Sequence, residues 1–246
     1  VLDTGPDAAF DPRQGVPLLD ILMLDTDRGF AVGAYSQLLR TTDGGASWQF
    51  VSTASDAPEA DPVDQGGAVG DEDNWTLSDA DLAMGDVSDP HFNAIARTGS
   101  GALLIVGERG SAFRSRDGGD TWERTELPYG GSMFGLIGYE GEHALAFGMR
   151  GNVFETHDLG ESWSAIETGT DLSLMGGAAR GEGGFVLVGA NGIVVLRDGA
   201  GEAVTNQVYA NAAHETPVLA AVLARANRSL VVSGDKGVDQ FAPRRQ

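Results

Sequence analysis

Cysteine is absent from the 246 residues, so neither disulfides nor thiolate metal sites are available, and the absence fits cytoplasm and periplasm equally. Lysine is almost absent as well: Lys236 stands alone against fifteen arginines. With 36 acidic residues the formal net charge is −20 at pH 7, which argues against nucleic acid as a partner, because that association needs cations to displace counterions from phosphates. No apolar run reaches the ~18 residues of a membrane-spanning helix, and no basic-then-apolar leader is present. The chain opens at Val1 rather than at a methionine, and it is expected to be a mature or trimmed product. Long segments of helical period are also missing, whereas glycine (36) and proline (9) are plentiful. Short strands joined by tight turns, an all-β fold, are expected.

What the chain does contain is an octet that recurs. TTDGGASW (41–48), SRDGGDTW (115–122) and THDLGESW (156–163) share Ser/Thr, any, Asp, any, Gly, any, Ser/Thr, Trp, and LRDGAGEA (196–203) is a weakened copy without the tryptophan. Asp117 and Asp158 are 41 residues apart, and Asp158 and Asp198 are 40. A second marker keeps phase with the first, apolar residues followed by Gly-x-x-Gly: LIVGERG (104–110), LAFGMRG (145–151), VLVGANG (186–192) and VVSGDKG (231–237), with FAVGAYS (30–36) as a variant. Ahead of each lies a shorter apolar run rich in small residues. Four antiparallel strands every ~41 residues is the pattern of a β-propeller blade, with the small-residue strand innermost. Five repeats are recognisable, and the fifth stops after its third strand at Phe241. Either residues 1–16 supply the missing outer strand and close a five-bladed ring, or the chain is part of a larger propeller.

In this reading the octet is the turn between third and fourth strands. Asp43, Asp117, Asp158 and Asp198 accept backbone hydrogen bonds, Gly45, Gly119 and Gly160 supply unusual backbone angles, and Trp48, Trp122 and Trp163 bury an apolar face between blades. The octets resemble the Asp-box, or bacterial neuraminidase repeat. Coupled at fixed distance to the Gly-x-x-Gly turn, they make the chain similar to propellers related to the photosystem II stability and assembly factor family, over nearly its whole length outside 54–89. The resemblance implies a non-enzymatic lumenal or periplasmic protein, often seven-bladed, that helps membrane-protein complexes assemble.

The Gly-x-x-Gly turns place Tyr35, Arg109, Arg150, Asn191 and Lys236 at equivalent positions on one face. Recurrent positive charge in so acidic a chain makes them candidate partner-binding residues. The period is interrupted once, by a segment at 54–89 with eleven acidic residues and no basic one, expected to be mobile. There Trp75, Leu77, Leu82 and Met84 are candidates to dock on a protein partner. No calcium-loop pattern occurs, and the spacing of the four histidines suggests no metal site; no cofactor is expected. The rival class is a glycan-binding or sialidase-like hydrolase. It would need three convergent arginines, a tyrosine nucleophile beside a glutamate, and a Phe/Tyr-Arg-Ile-Pro motif, and that motif is missing. The sequence therefore points to one propeller across 1–246 that binds protein, and the resemblance implies an exported accessory factor for an envelope membrane complex.

Overall fold

The computed structural model describes residues 15–53, 90–225 and 228–244. Residues 1–14 and the acidic stretch 54–89, Trp75 included, lie outside them. Nineteen strands form five antiparallel sheets among the described residues. The first sheet holds β1 (Leu18–Met23), β2 (Gly29–Gly33), β3 (Leu38–Thr41) and β4 (Gln49–Phe50), and the second holds β5 (Phe92–Arg97), β6 (Leu103–Gly107), β7 (Ser111–Ser115) and β8 (Glu123–Glu126). β9 (Met133–Gly138), β10 (Ala144–Gly148), β11 (Val153–Thr156) and β12 (Ser164–Ala165) make the third. The fourth comprises β13 (Leu174–Arg180), β14 (Gly184–Gly189), β15 (Ile193–Arg197) and β16 (Thr205–Val208). β17 (Leu219–Ala224), β18 (Leu230–Gly234) and β19 (Gly237–Phe241) make a three-stranded fifth. Strands pair in chain order, each first strand at the edge and packed on the first strand of the next sheet, which is the radial array of a propeller.

The second strands of the first four sheets are buried from end to end, and those of the second, third and fourth sheets are sandwiched between the neighbouring sheets. That is why Leu103-Leu104-Ile105-Val106 reads as a continuous apolar run instead of alternating. The inner strands crowd one another as their small residues suggest: a Cβ on Gly138 would lie 2.0 Å from the Arg97 carbonyl of the previous sheet, and one on Gly176 2.4 Å from the Ala220 carbonyl of the next. The two glycines of each Gly-x-x-Gly turn have separate tasks. The first, at Gly107 for example, leaves room for the His91 carbonyl, which a Cβ would meet at 2.0 Å, and that carbonyl accepts the following N–H of Glu108 at 3.0 Å. Every sheet carries a register shift at this point of its first strand pair.

β17 makes no contact with β1 comparable to those between successive inner strands. Exposed apolar side chains mark the two ends of the array, Ile21 at 59% on one and Leu223 at 61% and Val238 at 74% on the other. Among the described residues the five sheets form an arc rather than a closed ring.

Candidate functional site

Antiparallel pairing sends the turn between first and second strands and the octet to one end of the propeller, and the Gly-x-x-Gly turns to the other. In three octets the carboxylate closes the turn in the same way. Asp117 accepts the Thr121 N–H at 2.9 Å, the Thr121 hydroxyl at 2.6 Å and the Ser115 hydroxyl at 2.7 Å, while Ser115 Oγ accepts the Gly119 N–H at 2.8 Å. Asp43 and Asp158 repeat the scheme with Thr41/Ser47 and Thr156/Ser162. Gly45, Gly119 and Gly160 all adopt positive φ. Trp122 is buried against Phe30 of the first sheet, whereas Trp163 and Trp48 are half-buried.

Asp198 departs from this expectation. It follows Gly189 by nine residues where the other three aspartates follow their glycine by ten, so Arg197 takes the place of Ser115 and Thr156. Asp198 instead pairs with Arg180 at 2.9 Å.

Those hydrogen bonds stabilise the ionised carboxylate. The Ser47 hydroxyl and N–H hold Asp43 at about 2; at Asp158 burial works the other way, but the Ser162 and Thr156 bonds prevail and set it at about 2. Thr121 and Ser115 hold Asp117 lower still. An unfolded aspartate titrates near 3.9. Because the folded values are depressed, this stabilisation is complete above pH ~4 and is lost as pH falls toward ~2. Melting temperature followed from pH 5 to 2 should fall steeply across that window, and less steeply in Asp43→Asn/Asp117→Asn/Asp158→Asn; an unchanged slope would contradict the assignment.

At the opposite end, Tyr35, Arg109, Arg150 and Asn191 are exposed and share φ of 53–56°. Each is the first central residue of a two-residue turn whose second central residue, Ser36, Gly110, Gly151 or Gly192, also has positive φ, closed by bonds such as Ser111 N–H to Glu108 O at 2.9 Å. This is a type I′ turn, in which Asn-Gly is the favoured pair and arginine or tyrosine is an expensive choice. Lys236 sits differently, as the second central residue of the turn between the paired Gly234 and Gly237, with its ammonium 3.3 Å from Glu215.

The larger concavities lie at the octet end, which sequence reasoning passed over. A cavity of about 630 Å³ at the mouth of the inner strands is lined by Arg97, Tyr139, Glu140 and Glu182 among others. Beside it, one of about 320 Å³ has Arg180, Arg225 and Arg228 in its wall with Asp198 the sole carboxylate, and an adjoining 420 Å³ cavity adds Arg244 and Glu202. Arg180 is held by Asp198 and Arg225 by Gln240 at 2.9 Å, while Arg228 is exposed with φ 65°. The signal was present in the ends of the inner strands, where Arg97 and Arg180 are the last residues and Arg225 follows the last.

Also at this end, between the third and fourth sheets, Arg197 is 6% exposed and donates to Glu155 at 2.5 and 3.1 Å and to the Gly183 carbonyl at 2.9 and 2.5 Å. Glu155 also contacts His143 Nε2 at 2.8 Å. Burial raises the Glu155 carboxyl, but the Arg197 and His143 bonds outweigh it and leave it lowered; burial lowers His143 despite Glu155, so the pair is neutral imidazole with carboxylate.

No protein-family model matches the chain, and no curated protein sequence does. Solved structures do. YCF48 bound to a D1 peptide aligns with TM-score 0.66 at 19% identity over 93% of this chain and 64% of that one. YCF48 from Cyanidioschyzon merolae aligns with TM-score 0.63 at 16% identity over 94% and 68%. An enzyme, streptogramin B lyase, aligns with TM-score 0.60 at 9% identity over 96% and 72%. This chain thus spans a little under two thirds of the YCF48 chain in the peptide complex. No helix among the described residues is long and apolar enough to cross a membrane. The chain is an all-β propeller of four-stranded blades, similar in fold to YCF48.

Proposed function

We propose that this protein is a binding propeller that captures an acidic segment of a protein partner at the octet-end mouth. We assign it a role as an assembly or accessory factor for a membrane-protein complex in an exported, periplasm-like compartment. The observation that carries the reading is the gathering of Arg180, Arg225 and Arg228 around one cavity in a chain of net charge −20. A wall of guanidinium groups inverts the local potential and matches carboxylates in paired geometry. The two that are already held need little further ordering to bind. YCF48, whose fold this chain shares, has been solved bound to a D1 peptide, which supports a peptide-binding role for such a propeller. The turn-end residues Tyr35, Arg109, Arg150, Asn191 and Lys236 offer the same partner a second, flatter surface.

The test is fluorescence polarisation with a labelled Asp/Glu-rich peptide at low ionic strength. Arg225→Ala and Arg228→Gly are expected to weaken binding about tenfold each, on the order of 1.4 kcal/mol. Arg228→Gly relieves a left-handed backbone, so the fold is not at risk. Arg109→Asn and Arg150→Asn, which suit the I′ turn better, should leave peptide affinity within about twofold. Wild-type affinity in both mouth variants would reject this site.

A second reading, glycan binding or hydrolysis, draws on Glu140 and Glu182 lining the 630 Å³ mouth cavity together with Arg97. Both glutamates are exposed, whereas a glycosidase acid is usually kept protonated by burial, so this reading ranks below the first. Hydrolysis of aryl-glycoside substrates abolished by Glu140→Gln or Glu182→Gln would reverse the order.

A further inference from the structure

The antiparallel register of β10 and β11, Ala144 opposite Thr156, continues one step outward and sets His143 opposite His157. Their rings stack with centroids 4.3 Å apart, and Tyr139 covers the other side of His143, also at 4.3 Å. Glu155 lies two residues before His157, hence on the same face of the sheet. One ligand atom from each of His143, Glu155 and His157 lies within 4.8 Å of the other two. The His143 and Glu155 side chains are 12% and 14% exposed, while His157 is open to solvent and makes no hydrogen bond among the described residues.

We propose that His143, Glu155 and His157 bind a divalent transition-metal ion, with Zn²⁺ as the type case. Two imidazoles and one carboxylate suit zinc, whereas calcium and magnesium favour all-oxygen shells. Bonds of ~2.0–2.2 Å in a tetrahedral site separate donor atoms by roughly 3.4 Å. His143 and Glu155, 2.8 Å apart, already approach that spacing, and the ion takes the place of the proton between them. The remaining adjustment falls on exposed His157. Arg197 is the outer support: its bond to Glu155 Oε2 at 3.1 Å holds the carboxylate, while Oε1 exchanges its 2.5 Å bond from Arg197 for the ion. Three protein donors leave a coordination position facing solvent beside His157.

The experiment uses the full chain, stripped with EDTA and titrated calorimetrically with Zn²⁺ in millimolar Mg²⁺ and Ca²⁺, which occupy the acidic surface. One saturable site is expected. His157→Ala should weaken it at least tenfold with an unchanged melting temperature in EDTA, and should remove the visible ligand-field bands of the Co²⁺-loaded protein. His91→Ala, at a histidine near Glu108 in another sheet, should bind as wild type. No saturable site, or equal affinity in the two variants, overturns the proposal.

Discussion

Replacing Trp122 with alanine is expected to lower the unfolding free energy by about 3–5 kcal/mol, the usual cost of emptying a buried aromatic site. Trp122 is 4% exposed and meets the Phe30 ring edge-on at 6.0 Å and 80°, while its indole N–H donates to the Gly119 carbonyl at 3.2 Å. Gly119 in turn lies so close to Phe30 that a Cβ would come within 2.1 Å of the ring. Octet and tryptophan together thus seal the seam between the first and second sheets, a cluster that includes Val32, Phe92, Leu103 and Ile105. Trp163 does the same between second and third sheets beside Leu104 and Ala144, but is only half-buried. Trp48 has no preceding sheet to cover it among the described residues. Urea unfolding should therefore rank the losses Trp122→Ala, Trp163→Ala, Trp48→Ala, from largest to smallest. A Trp48→Ala loss equal to that of Trp122→Ala would show that the first sheet is covered in solution and that the arc is closed.

The strand order was legible because a propeller repeats local chemistry. The interval from Gly107 to Asp117 recurs unchanged from Gly148 to Asp158, so these sheets announce their second strand, turn, third strand and octet in turn. What the sequence left hidden depends on pairing across strands or on a single-residue offset. His143 and His157 are fourteen positions apart with no motif between them, and only the hairpin register makes them neighbours. Asp198 carries the expected letter one position early, so its carboxylate leaves the turn for Arg180. The arginines of the mouth come from the ends of different inner strands, and convergence on a common axis is a property of the array rather than of any one repeat.

Arg197 shows what that offset changes in energetic terms. Where Ser115 and Thr156 cap their turns, Arg197 reaches across to Glu155 of the third sheet and lies 4.8 Å over the Phe185 ring. Replacing it with methionine keeps most of the apolar stem but leaves Glu155, 14% exposed, with His143 as its one remaining partner among the described residues. Removing one member of a buried pair costs about 3–5 kcal/mol, and the residual exposure and the His143 bond place this case at the lower end. The loss should depend on pH in a definite sense. Without Arg197, His143 alone opposes the burial that raises the Glu155 carboxyl, so the carboxyl moves upward and the penalty of its charge is relieved by protonation and grows as pH rises. Arg197→Met should therefore be most destabilised near pH 7–8 and approach wild type as pH falls toward 5. Glu155→Gln in the same chain removes the stranded charge and should recover at least half of the loss at pH 7. A double variant no more stable than Arg197→Met would mean that the Gly183 and Phe185 contacts of Arg197, rather than its pairing with Glu155, join the third and fourth sheets.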